Sequence, residues 1–151
     1  MTLPGRLAGF LLACALAAPA WADQLLLVRS QQAFPEAMAS LQAGIAKHGY
    51  KVTRVQNVDI GLSHTGYRTD NYKVVFYGKA DEVAQLTAQH PELIPYLPLN
   101  VAIFAEDEET IVVTSRPAVL GEFFPDPQLK PLFAGWEKDL EEIMDEVREG
   151  R

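Results

Sequence analysis

One short stretch, Leu62-Ser63-His64-Thr65-Gly66-Tyr67-Arg68, carries more reactive groups than any other part of the sequence. Ser63 and Thr65 supply hydroxyls, His64 an imidazole, Tyr67 a phenol and Arg68 a guanidinium, around a glycine that lets the backbone turn. A surface loop equipped in this way can hold an anion or another small ligand. Ser63, His64, Tyr67 and Arg68 are therefore the candidate ligand-binding residues. With His64 as a base and Tyr67 and Arg68 gripping an anionic substrate, the same loop describes a hydrolase or isomerase. With His64 as a ligand it describes a haem- or metal-binding protein.

Neither catalytic reading has a signature behind it. Ser63 and His64 are neighbours in sequence, which does not make a hydrogen-bonded nucleophile and base. No G-x-S-x-G elbow, G-x-G-x-x-G or P-loop occurs. A metal site needs three or four converging ligands, and no H-x-x-x-H pairing supplies them. No metal or other cofactor is predicted. The other histidines, His48 and His90, sit where helices end, and a cation there suits the helix dipole. Glu137, Asp139, Glu141, Glu142, Asp145 and Glu146 fall opposite an apolar stripe and read as a solvated helix face. The reading that fits best is a non-catalytic module that binds a small ligand or another exported protein.

Export follows from the N-terminus. Arg6 lies in a short charged segment, residues 7–17 are uncharged and mostly apolar, and Ala18-Pro19-Ala20-Trp21-Ala22 ends in an A-x-A site. That is a secretory signal, cleaved after Ala22, and its apolar run is too short to span a membrane. The chain is expected in the periplasm, with no membrane insertion after cleavage. Leu11-Leu12-Ala13-Cys14 resembles a lipoprotein box. The apolar run before Cys14 is very short and continues to an ordinary cleavage site, so Cys14 is expected to leave with the leader.

Removing residues 1–22 from 151 leaves 129, the size of a single domain. Arg6 goes and no acid does, so 12 basic residues face 20 acidic ones, a net charge of −8 with histidines neutral. That balance disfavours nucleic acid and anionic lipid as partners. Without Cys14 the domain has no thiol. Disulfides, thiolate catalysis, Cys-bound zinc, iron–sulfur clusters and c-type haem are thereby excluded for it.

The elements that must position the loop follow from periodicity. Residues 24–30 read as a strand. Pro35 opens a helix with Met38, Leu41 and Ile45 on one face, closed by Gly49. Residues 50–58 form a second strand, 60–71 the polar loop, and 72–77 a third strand. Residues 80–90 form a helix with Val83, Leu86 and Thr87 inward, ended by Pro91. Residues 92–99 are a Pro-rich apolar connector, which serves as an exposed interface or is buried. Residues 100–105 and 110–115 flank the turn Glu106–Glu109. A last helix, with Asp126 as cap and Pro127 at its first position, presents Leu129, Leu132, Phe133, Trp136, Leu140, Ile143, Met144 and Val147 at steps of three and four. The order β-α-β-β-α-β-β-α predicts one α+β domain, a mixed sheet with helices packed on it.

In these segments the chain resembles the domain-of-unknown-function 302 family. Gly49-Tyr50-Lys51-Val52 after Leu41 is similar to the family's first-helix exit, and Val58-Asp59-Ile60 to its acidic strand end. Tyr72–Gly78 before a helix resembles its central strand-to-helix turn, and Leu97–Phe104 its Leu-Pro entry into a hairpin. The resemblance implies a compact α+β domain, a homodimer, and no agreed activity. Two positions depart from it. Lys79-Ala80 stand where many relatives have Asn-Pro, and Leu99 where some have Cys, so no role needing that thiol operates here.

Overall fold

The structure is a computed structural model that describes residues 24–58, 66 and 71–150. Five strands form one sheet: β1 (Leu25–Ser30), β2 (Lys51–Asn57), β3 (Tyr72–Gly78), β4 (Leu99–Glu106) and β5 (Glu109–Ser115), in the order β1-β5-β4-β3-β2. The helices are α1 (Phe34–Lys47), α2 (Ala80–Gln89), the single turn α3 (Leu120–Phe123) and α4 (Lys130–Glu149). Short 3-10 segments cover Pro91–Tyr96 and Pro117–Val119. The α+β class and the order of the main elements are those the sequence predicts.

The sheet differs in one respect: every pair is antiparallel, where mixed pairing was expected. Although α2 lies between β3 and β4, the chain returns through the Pro91–Tyr96 segment to the end of the sheet where β3 finished. β4 therefore runs back alongside β3, with Tyr77 opposite Leu99. The helix α1 carries the chain from one edge strand, β1, to the other, β2, so these two never touch.

Helices α1 and α4 cover one face of the sheet. On α1 the buried stripe is Phe34, Ala37, Leu41, Gly44 and Ile45, with Met38 at its margin. On α4 it is Phe133, Trp136, Leu140, Ile143, Met144 and Val147, the predicted stripe. Both sets meet Val75, Val101, Ile103 and Val112 of the sheet. Burying a side chain such as Leu41 or Ile143 contributes about 1.5–3 kcal/mol. The two helices cross closely at Gly44, where a Cβ would stand 3.2 Å from Ile143 Cγ2.

The ends of the elements are set by simple chemistry. Gly49, at φ +79°, closes α1 in the left-handed region, and the Tyr50 N–H returns to the Ile45 carbonyl. The β4–β5 turn pivots on Asp107, at φ +53°, a conformation aspartate tolerates. The last helix starts at Lys130, four residues after Asp126. The Asp126 carboxylate instead accepts from the Gln128 N–H (2.8 Å), making a turn before the helix, and Pro131 occupies its opening.

The other face of the sheet is apolar along one row. Leu27 pairs with Val113, Val113 with Ala102, and Ala102 with Val74. Leu27 is 53% exposed, and Leu25 on the same strand 48%. Among the described residues no helix is long and apolar enough to cross a membrane.

Candidate functional site

Ser63, His64, Tyr67 and Arg68 lie outside the described residues, as do the leader and Cys14. Within their loop Gly66 is described, at φ +84°, so the backbone there takes the turn that glycine allows. His48 and His90 both stand at helix C-termini. His48 caps α1 and faces Asp139 (3.7 Å) and Glu142 (3.8 Å), and His90 caps α2 beside Glu92 (3.3 Å). Among the described residues no group of three or more His, Cys, Asp and Glu side chains is arranged to hold a metal ion.

The structure offers a different site, a cleft of about 260 Å³ at the end of the sheet where β3 finishes and β4 begins. Tyr77 and Leu99 line it from the sheet, Leu140 from α4, Pro95 and Tyr96 from the connector, and Val119, Leu120 and Phe123 from the segment after β5. Local sequence explains that segment. Pro117 cannot donate to a neighbouring strand, so β5 stops and the chain folds over the sheet end in short helical turns. The connector divides at this point: Leu93 is fully buried, whereas Ile94 and Tyr96 are 54% and 43% exposed.

The rim is fastened to α4 by charge. Arg116 donates to Glu137 (2.7 Å) and Glu141 (3.1 Å), and the second oxygen of Glu137 accepts from the Ala118 N–H (2.9 Å). The acidic residues of α4 are thus more than a solvated face. Lys47 pairs with Glu146 in the same way, and Asp139 accepts from the Tyr50 hydroxyl at 2.7 Å. The Nε–H of Arg116 is buried without an acceptor among the described residues.

The inner wall is tyrosine. Tyr77 is 2% exposed, and burial, then the charge of Asp139, raises its pKa and keeps the phenol protonated. Its hydroxyl forms no hydrogen bond among the described residues. Tyr50 packs edge-on against it, with centroids 5.4 Å apart and planes at 87°. Lys79 Nζ sits 4.3 Å from the centre of the Tyr50 ring. A second run of rings leads from the cleft wall into the core: Tyr96 to Phe124, Phe124 to Phe133, and Phe133 to Trp136. Trp136 ends that run and donates its indole N–H to Glu82 at 2.9 Å.

Of the cleft residues, sequence reasoning touched the connector and Leu140, and Leu140 for its place in the helical stripe. The rest come from three separate segments whose meeting no local pattern announces. The apolar connector between two prolines was the signal available.

An antiparallel sheet with two long helices on one face and this cleft at one end defines a small α+β domain. A family model described as "Domain of unknown function DUF302" matches residues 27–147, and the chain belongs to that family. The crystal structure of an uncharacterized conserved DUF302 protein from Bacillus stearothermophilus is similar in fold, with a TM-score of 0.73. The match covers 82% of this chain and 98% of that one at 21% identity. No curated protein matches the chain.

Proposed function

We propose that this chain is an exported, non-catalytic binding module whose domain takes a small ligand in the cleft between Tyr77 and Leu120. The observation that carries the proposal is the cleft itself, about 260 Å³ and walled mainly by apolar and aromatic side chains. Concave, mostly apolar sites with a few placed polar groups are the usual form of small-ligand pockets. The export half rests on Arg6, the apolar run 7–17 and the A-x-A site at Ala20–Ala22.

Both halves can be tested on the full-length chain expressed in a bacterial host. The expected product is periplasmic, begins at Asp23 and carries no lipid. Native mass spectrometry then looks for an added mass that disappears in Val119→Trp, which fills the cleft. Cytoplasmic protein still beginning at Met1 contradicts export. A ligand kept by Val119→Trp but lost in His64→Ala moves the site to the loop.

The same reading includes a second copy of the chain as partner, joined through the sheet face that α1 and α4 leave uncovered. Leu25 and Leu27 support it, because a contiguous exposed apolar row favours association. Sedimentation of the mature protein should give a dimer that Leu27→Glu dissociates. A monomer at high concentration rules this partner out.

A further inference from the structure

We infer that the free edge of β1 takes a sixth strand: an extended segment of a partner protein, apolar at alternate positions and basic between them. The inference is independent of the cleft and of the second copy.

The edge follows from the phase of the hydrogen bonds. β1 ends the sheet, with β5 as its neighbour on the inner side. An antiparallel pair alternates between opposed residues that exchange both backbone bonds and opposed residues that exchange none. The Arg116 N–H donates to the Gln24 carbonyl at 2.9 Å, and the register continues with Leu25 opposite Ser115 and Leu26 opposite Thr114. Leu26, Val28 and Ser30 therefore bond to β5, and the N–H and C=O groups of Leu25, Leu27 and Arg29 point away from the sheet. Among the described residues those groups have no backbone partner.

The two edges of the sheet differ. The register of β2 shifts between Val52 and Arg54, and Lys51 and Arg54 put charge along that strand. Bulges and edge charges keep foreign strands away. β1 pairs without a break along all 6 of its residues, and its single charge, Arg29, is held by Glu106 and Glu109.

Beside β1 there is room for a strand. A groove of about 310 Å³ runs between β1 and α4. Leu26, Leu27 and Val28 form one wall, and Glu141, Met144, Asp145 and Arg148 the other. An added strand lies about 4.8 Å from its neighbour, and strand addition at an exposed edge is a recurring mode of peptide recognition.

The occupant's pattern follows from alternation, because opposed residues on paired strands point their side chains to the same face. Residues opposite Leu25 and Leu27 fall on the open face beside two half-exposed leucines, where apolar side chains suit them. Residues opposite Leu26 and Val28 enter the groove and meet the half-exposed carboxylates of Glu141 and Asp145. Arg148 already bonds Asp145 at 2.9 Å and lies 4.0 Å from Glu149, and Glu141 shares Arg116 with Glu137. These 4 carboxylates face 2 guanidiniums, so a lysine or arginine entering the groove gains attraction and an aspartate or glutamate meets repulsion.

The probe is a capped peptide in which valine alternates with lysine, titrated into the mature protein and followed by amide exchange. Leu25, Leu27 and Arg29 should exchange fast in the free protein and slowly in the complex, with Leu26 and Val28 slow in both. Glutamate in place of the lysines should weaken binding about threefold or more. N-methylation of one alternating set of peptide amides should weaken it at least about tenfold, through the loss of several backbone bonds, and N-methylation of the other set should leave it within about twofold. Leu27→Pro should abolish binding by a folded domain, because the N–H it removes faces outward. If Leu27→Pro does not fold, the comparison of peptides on the unaltered chain decides alone. No binding, binding that leaves the three amides exchanging fast, equal binding of the glutamate peptide, or indifference to both N-methylated sets overturns the inference. A dimer that protects the same three amides and excludes the peptide also overturns it and gives the edge to a second copy.

Discussion

The hydroxyl of Ser30, at the end of β1, donates to the main-chain carbonyl of Val147 in α4 at 2.8 Å, across 117 residues of sequence. Gln32 Nε2 reaches the same oxygen at 2.6 Å. Val147 lies in the last turn of α4, where carbonyls lack full helical partners; the Gly150 N–H reaches this one only at 3.4 Å, and the two side chains make its shorter bonds. Ser30 is fully buried, so its donor has no alternative in water. Ser30→Ala leaves the Val147 carbonyl with Gln32 and a long bond from the Gly150 N–H (3.4 Å) and should lower stability by about 1 kcal/mol, read as a lower urea midpoint with an unchanged slope.

The Tyr50–Asp139 hydrogen bond makes a prediction about alkaline pH. Burial, with the Asp139 hydrogen bond and charge, raises the pKa of Tyr50 above the ordinary value of 10.0, and burial raises that of Tyr77. A raised phenol contributes stability that is complete below pH 10 and is lost as pH climbs above it, because the unfolded chain releases its protons first. Stability should therefore be flat from these groups up to about pH 10 and fall beyond it. Tyr50→Phe should cost about 1.5–3 kcal/mol at pH 8, since the bond is to a charged acceptor, and should shrink the alkaline loss. Urea denaturation between pH 8 and 11.5 measures both effects.

At the cleft rim, two carboxylates share Arg116 but differ in shelter. The side chain of Glu137 is 16% exposed and also holds the Ala118 N–H; that of Glu141 is 49% exposed. Glu137→Ala should cost about 1.5–3 kcal/mol and speed amide exchange at Ala118. Glu141→Ala should cost less than about 1 kcal/mol, as a half-exposed pair in water does. Equal losses would mean that the Ala118 contact contributes nothing.

The crossing of α1 and α4 predicts a coupled pair. Because a Cβ at Gly44 would sit 3.2 Å from Ile143 Cγ2, Gly44→Val should overpack the crossing and cost about 1–3 kcal/mol. Ile143→Ala removes that methyl and on its own should cost about 2–5 kcal/mol by cavity formation. In the double variant the losses should fall short of their sum, because the second change relieves the first. Strict additivity in thermal or urea unfolding would show that the helices move apart instead.

Much of this fold is written in local pattern. The stripe from Phe133 to Val147 has a period no strand can share, and Gly49 and Pro117 stop their elements for reasons confined to one residue. The direction of β4 was not legible, because it depends on which end of the sheet the chain revisits after α2, and short connectors do not encode that. The start of α4 was missed for a related reason. Asp126 is a good cap, but its side chain is engaged by the turn at Gln128, and the helix waits for Lys130. The cleft was the least legible feature. Tyr77 reads as an ordinary inward strand residue, and only the approach of Leu120 and Tyr96 in space makes it a wall. The reactive loop drew attention because its residue types are conspicuous, whereas the cleft is made of residue types that any core contains.

The position of β1 at the sheet edge, beside β5 and under α4, has a consequence for the order of events in assembly. A chain delivered N-terminal end first, from a ribosome or through a pore, presents β1 long before either neighbour exists. Of its three leucines only Leu26 is buried, and its cover comes from β5 and α4, so this edge of the sheet closes last. Leu25 and Leu27 stay half exposed even then. The hairpins β2–β3 and β4–β5 need nothing from α4, so pairing at the far edge precedes closure at this one.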